Sequence, residues 1–141
     1  MFKSLLLAVD VNAPDGAARS AEAAISMARA NGATLHILNV VPDTGMAIVG
    51  ASMTQDSMQG ARDAATAELE AWAKATVPPE VPCVVHVAEG TVYDQIIRTA
   101  KALEIDAIVV GAHRPELKDY LIGPNAARVA RHADQSVFVV R

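Results

Sequence analysis

Sulfur ligands, aromatic rings and positive charge are all scarce in this chain. Its 141 residues include one cysteine, one tryptophan, two phenylalanines and two tyrosines. Cys83 has no partner for an internal disulfide and cannot build a thiolate zinc site alone. A reducing, cytoplasmic setting is therefore expected. Twelve Lys and Arg against sixteen Asp and Glu leave a net charge of −4. Nucleic-acid binders usually carry a net basic field, so no nucleic-acid partner is expected. No apolar run reaches the ~18 residues of a membrane span, which argues against direct membrane insertion. The first run, residues 5–9, is short, stops at Asp10 and has no small-residue cleavage pattern after it. No secretory signal is expected. The four histidines are scattered, and none has metal-ligand spacing such as His-Glu-x-x-His, so no metal site is expected. His36 and His86 fall inside strands and read as packed or edge residues. His132 falls in the last turn of a helix, where positive charge is favourable. A Gly-x-Gly-x-x-Gly after the first strand and a Gly-Lys-Ser/Thr are both missing, which removes the dinucleotide fingerprint and the P-loop ATPase.

What is present is ordinary globular material, 52% apolar and 20% charged. At the usual ~150 residues per domain the expectation is one domain, residues 1–141. Such a domain buries roughly two thirds of its unfolded surface. It is too short for an enzyme with separate substrate and cofactor domains. Alanine accounts for 28 residues, which favours helices that pack closely and carry little side-chain chemistry.

The hydropathy pattern alternates short β-branched runs with longer helical stretches. Residues 5–9, 34–41, 81–87, 105–110 and 136–140 read as strands. Helical spacing occupies 15–31, ending at Asn31-Gly32, a good helix stop. It occupies 58–76, with Ala61, Ala65, Leu69, Trp72 and Thr76 on one side. A third helix follows Thr91 and Asp94, a Thr-x-x-Asp pair related to a capping box. Its inward residues are Val92, Ile96, Ala100 and Leu103. A fourth runs roughly 125–133 and carries Val129. The order βαβαβαβαβ predicts an α/β fold, an open five-stranded mostly parallel sheet with helices on both faces, Rossmann-like. Two irregular stretches, 42–57 and 112–122, are long for a small domain and read as functional loops.

Ligands of parallel sheets bind outside the carboxyl ends of the strands, where strand order reverses. That rule selects Asp10, Val40-Val41, residues 88–91 and the segment from Gly111 onward. The richest part is Gly111-Ala112-His113-Arg114-Pro115, followed by Gly123-Pro124-Asn125-Ala126 at a helix start. Gly111 lets backbone approach a ligand closely. The N–H groups of a helix N-terminus can hold an anion, and a proline in the first turn loses little. Arg114 adds a fork of donors for phosphate, Asn125 a side-chain amide, and His113 a further contact beside the loop. The same residues also read as turn glycines and a solvated arginine, and Asp10 as a helix cap.

The segment from Asp106 to Pro115, then Asp119-Tyr120-Leu121-Ile122-Gly123-Pro124-Asn125-Ala126-Ala127-Arg128-Val129-Ala130-Arg131-His132-Ala133, resembles the universal stress protein family. The likeness extends to Ser136-Val137-Phe138-Val139-Val140, to Asp10 after the first strand, and to the Glu89-Gly90 turn. Its nucleotide binders carry glycine, two residues, glycine, nine residues, then glycine and Ser/Thr. Here Arg114 stands for the second glycine, eight residues follow it, and Pro124 stands for the hydroxyl. The Arg-Pro and Gly-Pro-Asn-Ala-Ala form is similar to a bacterial subgroup that binds adenine nucleotides.

The resemblance implies a cytoplasmic ATP-binding regulatory or stress-response protein, with ADP or AMP as alternatives to ATP. Magnesium would ride on the phosphates. Asp10 is then expected at the adenine or ribose, and Val40 and Val41 along the base. Gly111, His113, Arg114, Gly123, Asn125 and the amide of Ala126 are expected at the ribose and phosphates. It also implies a homodimer through the last strands, extending in some members to a homotetramer, and a regulatory protein partner. The apolar edge at 137–140 agrees with strand pairing. No catalytic residue is assigned. The alternative is a nucleotide-independent dimeric interaction module, for which Arg114 and Pro124 speak; a slow ATPase is the lesser reading.

Overall fold

The computed structural model describes residues 1–10, 14–41, 55–112 and 123–141. Five strands and four helices follow one another in these residues: β1 (Ser4–Val9), α1 (Pro14–Asn31), β2 (Thr34–Val41), α2 (Gln55–Thr76), β3 (Cys83–Glu89), α3 (Val92–Ala102), β4 (Ala107–Gly111), α4 (Pro124–His132) and β5 (Ser136–Val140). The expected order of elements is the observed one. The strands lie in the order β3-β2-β1-β4-β5, and every neighbouring pair is parallel.

Period-two alternation sends successive residues of each strand to opposite faces. Leu5, Leu7, Leu35, Ile37 and Val109 join one buried cluster with α1 and α2. Leu6, Leu38, Ile108 and Val110 join a second with α3 and α4. The three central strands are thus apolar on both faces, as a doubly covered parallel sheet requires. Four alanines of α1, Ala17, Ala21, Ala24 and Ala28, form its buried stripe. Their small side chains let the helix backbone lie close to the sheet.

Several local signals are realised. Gly32 has φ +61° and ends α1, with the Ala33 N–H donating to the Ala28 carbonyl at 2.9 Å. This left-handed helix stop is one that glycine takes without a Cβ penalty. Val129 is fully buried on α4, and Ile96 and Ala100 are buried on α3.

Others differ. α2 starts at Gln55, earlier than its spacing predicts, and Ala61 is exposed. Among the described side chains of α2, the later turns reach the core, through Leu69 and Ala73. β3 begins and ends two residues later than expected, because the run 81–82 is spent on the approach: Val81 is buried and the Pro82 carbonyl accepts from the Leu35 N–H at 2.8 Å. Likewise β4 is Ala107–Gly111, two residues late at its start. Thr91 occupies the N-cap of α3 without a side-chain cap hydrogen bond. Asp94 instead binds Arg98 at 2.7 Å, one helical turn on. No described helix is long and apolar enough to cross a membrane.

Candidate functional site

Because all strands run the same way, their carboxyl ends form one rim. The order reverses at β1, with β2 and β3 on one side and β4 and β5 on the other. The ladders show an opening there. β1 pairs with β2 as far as Val9↔Asn39, and β4 pairs with β5 as far as Gly111↔Val140. Between β1 and β4 the pairing stops at Leu7↔Val109. The last two residues of each strand face each other without a ladder, so a crevice starts at the switch point.

Asp10 is exposed on the β1 lip of this crevice. Val9 is in register with Asn39, so the next residues, Asp10 and Val40, stand side by side on adjacent strands. Val40 packs on the α3–α4 side of the sheet. The Val41 carbonyl accepts from the Gly90 N–H at 3.0 Å, closing the end of β2 against the turn after β3. Gly90 has φ +133°, a conformation that side chains rarely adopt. Arg62 of α2 reaches Glu89 at 3.2 Å, so the carboxylate at this end of the rim is matched by a cation.

Gly111 forms the opposite lip and is exposed. A Cβ built there would meet the Gly16 carbonyl oxygen at 3.7 Å and Ser20 Oγ at 3.8 Å, ordinary contact distances. The chain leaves the sheet at Ala112, whose N–H donates to the Val140 carbonyl at 2.8 Å. It returns at Gly123, whose N–H donates to the Ala112 carbonyl at 3.2 Å. The segment 113–122 therefore starts and ends at the crevice. His113 and Arg114 lie in it, outside the described residues, as does the stretch 42–54 with Met46 and Met53.

Gly123 is the N-cap of α4 and Pro124 its first residue. The first helical hydrogen bond runs from the Ala127 N–H to the Gly123 carbonyl at 3.0 Å. Proline has no N–H, so the groups of Asn125 and Ala126 are left outside the helix ladder. The first turn of α4 carries no acid, while Arg131 and His132 sit in its last turn. The positive end of the helix dipole is thus not neutralised at the rim. Arg128 lies 5.0 Å from the centre of the Tyr93 ring, which ties α4 to α3 and holds that end in place.

The structure brings Asp10, Val40, Val41, Gly111, Gly123, Asn125 and Ala126 to the same rim. It adds two residues that the pattern of the sequence did not single out. Ser20 and Asn39 are the buried polar residues among those described. Asn39 is 7% exposed, beside Val9 at the end of β2. Its amide makes no hydrogen bond within the described residues, and none of its polar atoms is sealed from solvent. Ser20 Oγ donates to the Ala17 carbonyl at 3.2 Å and adjoins the space beside Gly111. The sequence signals were an amide inside the apolar run 34–41 and a hydroxyl on an alanine stripe.

Other chemistry lies away from the crevice. Asp106 sits at the opposite rim, where its carboxylate accepts from the N–H groups of Lys3 and Ser4 at 2.8 and 3.0 Å. Burial pushes the Cys83 thiol up, away from reactivity, as expected of a small hydrophobe. Glu80 is held below the usual carboxylate range by its own backbone amide and by Arg29. His36 and His86 are paired with each other on β2 and β3. The described part of the crevice offers N–H donors, an acid and a cleft.

The model of the universal stress protein family matches residues 1–141. Universal stress protein G of Shigella flexneri is 29% identical over 146 residues, covering 100% of both chains. The universal stress protein UspA of Lactobacillus plantarum superposes with a TM-score of 0.72 at 25% identity, covering 99% of this chain and 98% of that one. Two solved structures share the fold at lower identity. A universal stress protein in complex with cAMP gives a TM-score of 0.68 at 21% identity, covering 99% and 97%. The universal stress protein of Archaeoglobus fulgidus in complex with dAMP gives 0.69 at 20%, covering 99% and 98%.

Proposed function

The chain belongs to the universal stress protein family, and from that premise we propose that it binds an adenine nucleotide, ATP or its ADP and AMP relatives, in the crevice between β1 and β4. One observation carries this reading. The two central strands part opposite a helix N-terminus that has two N–H groups outside the ladder and no acid in its first turn. The phosphate end of a nucleotide belongs at α4, on the amides of Asn125 and Ala126 and beside Gly111 and Gly123. Arg114 and His113 add charge and a donor from the loop between them. The base belongs at the β2 end, along Val40 and Val41, with Asp10 accepting from a ribose hydroxyl or the adenine amine. The fold relatives solved with cAMP and dAMP support the adenine class. Among the described residues no group of three acids, histidines or cysteines forms a metal cage. Magnesium is accordingly carried by the phosphates.

The biological role that fits is a cytoplasmic regulatory stress-response protein, one domain over 1–141. Its Arg-Pro and Gly-Pro-Asn-Ala-Ala loop suits the bacterial members that share that form. β5 closes one end of the sheet, and Phe138 on it is 38% exposed and meets Phe2 in a T-shaped ring contact. An apolar edge strand of this kind is satisfied by a second copy across a two-fold axis, giving a homodimer on which a tetramer or a regulatory partner can build.

The experiment is calorimetric titration of nucleotide-stripped protein with ATP and Mg²⁺, beside Asn125→Asp. A carboxylate in the first turn favours the helix but repels phosphate. Saturable binding that the variant weakens about tenfold supports the site. No binding at about 1 mM ATP overturns it in favour of a nucleotide-independent dimer module, and equal binding by the variant overturns the placement of the phosphate at α4. Phosphate release in the same samples tests slow hydrolysis.

A further inference from the structure

A second cluster of ligating side chains lies on β2 and β3, away from the crevice. His36 is in register with Val84, and His86 with Leu38, so the two imidazoles face each other diagonally across the strand pair. They are 50 residues apart in sequence, a spacing that no local motif reveals. Both sit on the sheet face that α3 and α4 cover further in. Towards β3 no described helix covers that face as closely: both rings are half-buried and Val84 is 45% exposed.

His36 Nδ1 and His86 Nε2 are 2.9 Å apart. The ring centroids are 5.2 Å apart and the planes differ by 24°. A nitrogen lies about 1.1 Å from its ring centre, so this separation puts the rings edge to edge in nearly one plane, with one proton on the line between the two nitrogens. One ring donates and the other turns its lone pair inward. Burial, and for His36 also the neighbouring His86, holds both imidazoles below their ordinary range. Both rings are therefore neutral at pH 7.

We propose that this pair is a two-imidazole site for a divalent late transition ion, Cu²⁺ or Ni²⁺, which inserts where the rings now share a proton. The proton moves to the donor ring's other nitrogen, so both rings stay neutral and no net proton is released. Metal–imidazole bonds are about 2.0–2.1 Å, and two of them at a right angle place their nitrogens about 2.9 Å apart. That is the spacing already built between His36 and His86. A tetrahedral angle needs about 3.3 Å, which makes zinc the poorer fit. Tetragonal nitrogen and oxygen sites select Cu²⁺ and Ni²⁺. Each ring must turn by about 45° to aim its lone pair at the ion, which their half-buried position permits, and water completes the shell. Neighbouring strands fix the two backbones, so only the side-chain torsions have to change.

The test uses the full chain without a histidine tag, titrated with CuCl₂ near pH 7.5. The expected result is one ion per chain, with nitrogen hyperfine structure from two imidazoles in its electron paramagnetic resonance spectrum. Loss of even an outer-shell partner typically costs 10–100-fold, so His36→Gln or His86→Gln weakens binding by about 100-fold. The double variant is no worse than either single one, and His132→Gln binds as the parent does. Wild-type affinity in His36→Gln overturns the proposal, as does no binding tighter than about 1 mM. A wild-type spectrum lacking the two-nitrogen pattern overturns it without reference to how any variant folds.

Discussion

Replacing Gly111 by alanine separates the fold from the function at one position. Gly111 ends β4 with an ordinary φ, and a Cβ there meets its nearest neighbours at 3.7, 3.8 and 4.0 Å. Nothing has to move to accept the methyl. Alanine also narrows the unfolded ensemble, which at a compatible site stabilises by about 0.4–1 kcal/mol. For a chain of this size that raises the melting temperature by roughly 1–4 °C. The same methyl stands on the lip of the crevice, where the proposed phosphate must approach the backbone. Loss of one hydrogen bond there, about 1 kcal/mol net, together with the steric displacement, weakens ATP about tenfold. Thermal melts and calorimetry on the same preparation read both effects. A variant that melts several degrees lower refutes the reading of free space. One that melts as expected and binds ATP unchanged refutes the approach of the ligand to Gly111.

Leu7 is fully buried in the central strand, so Leu7→Ala should cost about 2–5 kcal/mol, read as a shifted urea midpoint with little change of slope. His36 and His86 have lowered folded values, so the unfolded chain binds more protons below about pH 6.5 and stability falls as the pH drops through that value. Melting curves between pH 7.5 and 5 should show this slope, and the His36→Gln/His86→Gln double variant should flatten it. Asn39→Leu keeps the side-chain branching and removes an amide that bonds to no described residue; the melting temperature should hold or rise while calorimetric nucleotide affinity falls.

The fold was legible because its signals are local. The run 34–41 and the run 136–140 are the strands β2 and β5 to the residue. Asn31-Gly32 ends α1 where the glycine rule puts the stop. The misplaced boundaries have physical causes. Pro82 delays β3, and residues 59–64 of α2 are exposed where its alanine spacing implies a buried face. Thr91 and Asp94 have the spacing of a cap, but the acid found Arg98 first.

The candidate site was legible as a set of strand ends and one helix start, and less so as a cleft. Asp10, Gly111 and Gly123 announce themselves by type and position. Asn39 and Ser20 do not, since a single polar residue in an apolar run looks the same whether it faces a crevice or a helix.

Periodicity and punctuation in the chain determined the elements, their order and the end of the sheet where a ligand can sit. Tertiary structure alone decided that β4 and not β3 lies beside β1, that these two strands part after Leu7 and Val109, and that His36 meets His86. The reason is range. Strand and helix signals repeat every two or 3.6 residues, whereas neighbour order and register are set by crossovers and packing between segments far apart in the chain.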